Sequence, residues 1–341
     1  MQSLIQPRVT TLAQVGGLLP ATAAVVLWSL APVLADLAER IPALQLTALC
    51  LGVATLATWP AARVAWGKPR YRMPRDTAAL GPLLVLGAVG FYFVALRRAP
   101  AAEAALIAYS WPVLFVVAAE LVTHRRIGAP ALAGSALAFG GAAIVLAPGS
   151  LTGQSAWDGY LFAFASGSCW AAFSLIARRQ REPLAAVMPR LFALAGLLAA
   201  AAHLLLESTL WSIPGDLLLW IAAIGAGPYG LAFLLWDAAL RRGRSTTVGT
   251  LAYAVPILST LLLVVTGSAV LDIRLAVAAA AVVAGCALSG RKRLPGLRLP
   301  APPTAWPGPL PPVRRSDPRP RVKVMPAQIE PKHSLTGMLG T

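Results

Sequence analysis

The sequence predicts an all-α integral membrane protein built as two inverted five-helix repeats, and three observations lead there. Apolar residues make up 57% of the 341 residues and charged ones only 12%, about half the charged share of a soluble domain. "LIAYSWPVL" at 106–114 returns as "TLAYAVPIL" at 250–258, an offset of 253 − 109 = 144. Laying 96–114 over 240–258 without a gap also matches Leu, the Arg-Arg pair, Ala, Tyr, Pro and Leu. Arg-Arg, Tyr and Pro are not what an Ala- and Leu-rich composition repeats by chance, so a duplicated unit follows. Third, the basic residues sort to one side of the apolar runs, as cytoplasmic loops require.

Residues 1–16 read as a short cytoplasmic segment whose one cation is Arg8. The apolar run from Gly16 to Leu34 is longer than a signal-peptide core and carries Trp28 and Pro32 inside it, which marks a first span rather than a cleaved leader. A hydrocarbon core about 30 Å thick takes some 20 apolar residues per helix, and on that ruler the chain holds roughly ten spans. Their expected limits are 17–36, 41–62, 78–97, 101–122, 128–148, 157–178, 187–210, 216–239, 245–267 and 269–290. Residues 17–148 form the first repeat, 149–156 a linker and 157–290 the second repeat.

The Lys and Arg count sets the orientation. Arg8, Arg63, Lys68, Arg70, Arg72, Arg75, Arg125, Arg126, the group from Arg178 to Arg190, and Arg241, Arg242 and Arg244 fall on one side. Arg40, Arg97, Arg98 and Arg274 share the other with Asp36, Glu39, Asp158, Glu207, Asp216 and Asp272. Both termini are therefore expected in the cytoplasm. An odd number of spans per repeat inverts the second copy relative to the first, so Arg97 and Arg98 come out external while Arg241 and Arg242 come out cytoplasmic. The net charge of +16 orients helices on this reading, and nucleic acid is not a partner. Asn is absent, Arg outnumbers Lys, and Ala, Gly and Pro abound. That bias belongs to a GC-rich bacterial genome and places the chain in an inner membrane, with the lipid bilayer as its surroundings.

Beyond Arg291 the composition changes to Pro, Arg and small polar residues, as in "PAPPTAWPGPLPPVRRSDPRPR". Residues 291–341 read as a disordered, basic cytoplasmic tail with polyproline character. Arg314, Arg315, Arg319 and Arg321 could meet anionic headgroups there.

Catalytic constellations are missing. The histidines are His124, His203 and His333, with no "HExxH" and no phosphate-cradling glycine loop, so the chain does not read as an enzyme. His203 reads as pore-facing or as a hydrogen bonder between helices. Cys50, Cys169 and Cys286 lie singly in apolar runs, without the paired spacings of metal or redox sites; no cofactor and no metal are expected. Glu103, Glu120 and Asp237 sit within a turn or so of span ends, which leaves no midplane carboxylate to carry a proton. Facilitated movement is favoured over proton coupling, with Glu120 the relay if a proton is used.

Proline inside a helix releases the carbonyl four residues back, a group that membrane helices leave free where a cavity or a neighbour satisfies it. Pro32 would free the carbonyl of Trp28, Pro112 that of Ala108 beside Tyr109, and Pro256 that of Ala252 beside Tyr253. A substrate ammonium could use such carbonyls, while indole and phenol edges meet a carboxylate or an aromatic side chain. Repeat equivalence adds Tyr92, which matches Trp236 since 236 − 92 = 144, and Trp170, near the mate of Trp28 since 170 − 28 = 142. The candidate substrate-binding residues are Trp28, Tyr92, Tyr109, Trp111, Trp170 and Tyr253. Candidate hinges are Pro32, Pro112, Gly225, Gly227, Pro228 and Pro256. Competing readings are interfacial aromatic belts for the Trp and Tyr residues and close helix packing for Gly225 and Gly227.

With a Trp in the first helix and "EAALIAYSWPVL" after the third, residues 17–290 resemble the EamA-like part of the drug/metabolite transporter superfamily, and within it the exporters of aromatic amino acids. The Tyr109 to Pro112 element is the most specific part of the match. The resemblance implies ten helices in two inverted repeats and alternating-access export of amino acids, aromatic and neutral, without firm ion coupling. The long Pro-rich tail departs from that pattern. Two other readings stand beside it: a transporter of another solute, such as a cationic drug, a nucleotide-sugar or a lipid head group, and a non-transporting receptor or assembly protein. The lack of deep carboxylates argues against a cationic drug, and the repeat against a plain receptor. The oligomeric state is not set by the sequence, and a monomer is compatible with it.

Overall fold

No water satisfies the backbone inside a bilayer, so long apolar runs close their hydrogen bonds as helices. The computed structural model describes residues 6–66, 75–146, 156–177, 184–242, 251–270 and 272–289, and among these it contains helices and turns but no strand. The first half runs through α1 (Gln6–Leu37), α2 (Ala43–Trp66), α3 (Arg75–Arg98), α4 (Ala101–Ala108), α5 (Trp111–His124) and α6 (Ala129–Leu146). In the second half come α7 (Trp157–Ala177), α8 (Leu184–Leu206), α9 (Gly215–Ala226), a π turn (Gly227–Leu231), α10 (Ala232–Arg242), a 3-10 turn (Ala252–Ala254), α11 (Val255–Val265) and α12 (Ile273–Ser289). Among the described residues seven helical runs are long and apolar enough to cross a membrane, counting α4 with α5 and α9 with α10 as one run each; α6, α11 and α12 contain shorter apolar stretches.

Several expectations fall outside the described residues: the tail, nearly all of the linker, Lys68, Arg70 and Arg72, the basic group up to Arg181, and Arg244. Helix α1 is described from Gln6 onward, and the apolar run within it that is long enough to span a membrane is Gly17–Leu37, where the first span was expected. Other expectations are modified. The single span expected over 101–122 is two helices, broken at Tyr109 and Ser110. Pro112 lies in the first turn of α5, and Pro256 in the first turn of α11. Both prolines therefore start a helix after a break instead of kinking one from within.

The helices pack as α1 on α10 and α11, α3 on α7 and α8, α2 on α8 and α9, α7 on α4 and α5, and α6 on α12. Small residues set the closest of these approaches. A methyl group on Gly285 of α12 would stand 2.5 Å from the Gly134 carbonyl oxygen of α6, and one on Gly141 would stand 2.7 Å from the Ala281 methyl. This is the close backbone approach that membrane helices use in place of a hydrophobic driving force. The fully buried core, with Leu46, Leu51, Phe93, Met188, Leu191, Phe192 and Ile224, fills the space among α2, α3, α8 and α9.

At one end of the bundle, His203 and Glu207 tie α8 to α2. The Glu207 carboxylate accepts the N–H groups of Leu44 (3.0 Å to either oxygen) and Gln45 (3.2 Å), two donors that a helix N-terminus leaves unpaired. His203 Nδ1 lies 2.8 Å from Glu207 and Nε2 lies 3.0 Å from the Thr209 hydroxyl. Gln45 and Leu210 exchange a reciprocal pair of bonds at 2.9 and 3.0 Å. His203 bonds within the end of α8 and the segment after it, and the link to α2 is made by the Glu207 carboxylate that it orients.

Candidate substrate site

Trp28 lies on α1 one turn before Pro32, and three elements from elsewhere in the chain converge on it. Its indole Nε1–H donates to the Pro228 carbonyl in the π turn at 3.0 Å. Its own carbonyl, the one Pro32 leaves without a helical donor, accepts the hydroxyl of Tyr109 at 3.0 Å. Its ring meets Phe233 edge-on at 5.6 Å and Trp236 at 5.1 Å, both from α10. The expectation that this carbonyl stands open to a substrate is corrected here: Tyr109 occupies it.

Phe233 extends the aromatic group into α7 and α8. It stacks on Trp170 at 5.2 Å with 23° between the planes and meets Phe192 edge-on at 5.8 Å, while Trp170 also meets Phe173 at 5.8 Å. Tyr109 carries it into α3, facing Tyr92 at 6.1 Å; Tyr92 packs on Phe93 at 6.2 Å, and Phe93 on Tyr229 at 5.9 Å. These spacings suit offset and edge-to-face ring pairs. Trp28, Tyr109, Trp170, Phe233 and Trp236 each keep part of their surface accessible, whereas Tyr92 is buried. The Tyr92 hydroxyl has no hydrogen-bond partner of normal geometry, which leaves a neutral donor and acceptor beside the Tyr109 ring.

The structure therefore brings together four of the six residues named from the sequence, Trp28, Tyr92, Tyr109 and Trp170. Trp111 joins none of the ring contacts among the described residues; its Cβ faces Gly167 on α7. The side chain of Tyr253 lies outside the described residues, and its backbone sits in the 3-10 turn. In that turn the Ala252 carbonyl accepts the N–H of Val255, so the carbonyl expected to be freed by Pro256 is also occupied. Sequence reasoning missed Phe192, Tyr229 and Phe233. Only Tyr229 carried a signal, standing directly after "GAGP".

At the π turn, the two glycines named as hinge candidates differ. A methyl on Gly225 would stand 2.6 Å from both the Cys50 carbonyl oxygen and the Val53 Cβ on α2, so glycine is required there by close packing. At Gly227 the nearest atom to such a methyl is Leu27 Cδ2 at an ordinary 3.6 Å. The widened turn follows from Pro228, which has no N–H for the regular ladder.

Carboxylates near the span ends are engaged. Glu103 accepts a hydrogen bond from the Tyr160 hydroxyl, and Glu120 accepts the N–H of Gly128 at 2.6 Å, ahead of α6. Among the described residues no three His, Cys, Asp or Glu side chains gather as metal ligands would.

Comparison with known proteins agrees with this architecture. The model of the EamA-like transporter family matches the chain in two stretches, residues 15–147 and 157–291. The aromatic amino acid exporter YddG of Ancylobacter novellus is 36% identical over 277 residues, which span 78% of this chain and 94% of the exporter. An uncharacterized protein of Pseudomonas aeruginosa is 30% identical over 197 residues, 57% of this chain and 66% of its own length. A crystal structure 34% identical in sequence superposes with a TM-score of 0.63, covering 80% of this chain and 97% of the other. With seven helical runs long and apolar enough to cross a membrane among the described residues and the family matched over both halves, the chain belongs to the EamA-like transporter family and is a multi-pass membrane transporter.

Proposed function

We propose that this transporter exports neutral amino acids with large apolar or aromatic side chains across the bacterial inner membrane, by alternating access of two inverted five-helix halves. The observation that carries the reading is the aromatic group around Trp28, Tyr109, Trp170 and Phe233, in which both halves meet on rings and neutral hydrogen-bonding atoms. A substrate ring or branched chain would lie among the rings, each contact contributing about 0.5 to 1.5 kcal/mol, and its charged head would reach the hydroxyls of Tyr92 and Tyr109. Trp111 and Tyr253, at the breaks before α5 and α11, belong to the same proposed path. The similar exporter from Ancylobacter novellus, named for aromatic amino acids, supports the substrate class.

Inversion is supported by the packing pattern. Exchanging each helix for its counterpart in the other half turns the α1–α10 pair into α7–α3, α1–α11 into α7 with α4 and α5, and α2–α9 into α8–α3; α2–α8 and α6–α12 return themselves. Any two-fold relation between the halves has this effect, and an odd number of spans per half then puts its axis in the membrane plane, the symmetry through which alternating access operates. Facilitated movement fits the carboxylates better than proton coupling, because Glu103 and Glu120 are held by hydrogen bonds near span ends.

The test is counterflow in proteoliposomes of the purified full chain. Labelled tryptophan or leucine should exchange against an unlabelled internal pool, while an imposed pH gradient alone gives little accumulation. Proton-driven uphill uptake would reassign the coupling to Glu120, and no exchange of any neutral amino acid would remove the substrate class.

A further inference from the structure

We infer that Arg97 is a positioning residue for transport, the latch that holds one mouth of the path shut; the inference rests on the alternating-access reading above. Arg97 ends α3, and its guanidinium reaches across to the end of α1. Nη1 and Nη2 both donate to the Ala35 carbonyl at 3.2 Å, and Nη2 also donates to the Ala38 carbonyl at 2.9 Å. The last carbonyls of a helix lack intrahelical partners and carry the negative end of its dipole. A planar cation with several donors fits them better than any other side chain.

The placement of this contact makes it a latch rather than a local cap. Helix α1 packs chiefly on α10, the π turn and α11, whereas α3 packs chiefly on α7 and α8, and the direct contact between α1 and α3 is slight. Among the described residues two hydrogen-bonded links from the α3, α4 and α7 side reach α1: Tyr109 to the Trp28 carbonyl within the aromatic group, and Arg97 to the α1 terminus. Residues 28 and 35 are two turns apart, so the latch lies about 10 Å along α1 from the site, toward one membrane face.

Its chemistry also favours release. Arg97 Nε is buried without a partner, an unsatisfied donor that makes the closed contact less stable than a complete one. Asp36, Glu39 and Glu207 stand close enough to act on its charge, while Arg40 pairs with Asp216 and Arg98 with Asp158. Glu207 is already engaged by Leu44, Gln45 and His203, so the contact of Arg97 with α1 stands on the Ala35 and Ala38 carbonyls. One side chain bonding to the end of a helix that its own helix otherwise barely touches is a contact that can open without unpacking either helix. An arginine recurs at the equivalent place in the second half, since 241 − 97 = 144, as a latch for the opposite mouth would require.

The experiment measures the mouth directly. In the full chain with Cys50, Cys169 and Cys286 replaced by alanine, spin labels at Leu37→Cys on α1 and Trp157→Cys on α7 occupy exposed positions and report their separation in lipid nanodiscs by pulsed dipolar spectroscopy. Arg97→Gln should lower the ratio of short to long distances about tenfold, the size of one net charge-assisted hydrogen bond, and Arg97→Lys should fall between. Superimposable distance distributions for the parent and Arg97→Gln would overturn the latch, even with amino acid exchange intact. A shifted distribution in a protein that exchanges no amino acid would uphold the latch and remove the substrate reading instead. Should Arg97→Gln not purify as a folded species, Arg97→Lys decides by the same ratio.

Discussion

The hydroxyl of Tyr109 donates to the carbonyl of Trp28 at 3.0 Å, the carbonyl that Pro32 deprives of its helical donor. A proline in α1 and a tyrosine at the break between α4 and α5 thus complete one another across the bundle. Tyr109→Phe keeps the ring contact with Tyr92 but leaves that carbonyl unpaired, at a cost of about 1 kcal/mol or more. The expected outcome is a folded protein whose exchange rate in proteoliposomes falls several-fold. Tyr109→Ala and Trp111→Ala should cut exchange severely, whereas Trp306→Ala in the tail should leave it unchanged. Equal transport by the Tyr109→Ala and Trp306→Ala proteins would exclude this element from the site.

At the π turn, the two glycines predict opposite results. Gly225→Ala would drive a methyl into the Cys50 carbonyl oxygen and Val53, backbone and β-carbon that cannot rotate away, and overpacking of this kind costs about 1 to 3 kcal/mol. Gly227→Ala meets open space and Leu27, and should leave thermal stability in detergent within experimental error. Matching melting temperatures for the two variants would show that α2 and α9 adjust more freely than the packing implies.

The repeat made much of this site legible. Trp170 stands two residues from the repeat mate of Trp28, and in the structure both indoles meet one ring, Phe233. Tyr92 and Trp236, equivalent by the 144-residue offset, belong to the same group through Tyr109 and Trp28. Phe233 was not legible, because a phenylalanine in an apolar helix looks the same whether it faces lipid or another helix. The carbonyl partners of Trp28 and Arg97 were hidden for a related reason: they join residues 81 and about 60 positions apart, and chain-local rules such as proline's effect on its own helix name the freed group without naming what takes it. At Pro256 the local rule itself misleads, since a 3-10 turn satisfies the Ala252 carbonyl from within the chain.

Gln45 provides a stability prediction remote from the rings. Its buried amide exchanges two hydrogen bonds with the backbone of Leu210. Gln45→Leu preserves approximate size but strands one N–H and one carbonyl, each costing about 1 to 3 kcal/mol when buried and unpaired. The purified variant should melt at a distinctly lower temperature than the parent, while exchange per folded molecule is retained at temperatures well below that transition. A parent-like melting curve would mean that water reaches Leu210.

The last prediction concerns Phe233, where both halves meet. Its ring stacks on Trp170 and meets Trp28 and Phe192 edge-on. Phe233→Leu keeps an apolar side chain while removing three ring pairs, each contributing about 0.5 to 1.5 kcal/mol beyond area burial. A tryptophan substrate recognised by the same face of the ring group loses part of that interaction, whereas leucine never had it. Competition between labelled tryptophan and unlabelled leucine in counterflow should therefore shift toward leucine by up to about tenfold, with the total exchange rate reduced less. If the preference ratio is the same in the parent and in Phe233→Leu, the ring group holds the helices together without reading the substrate, and recognition must be sought nearer Trp111 and Tyr253.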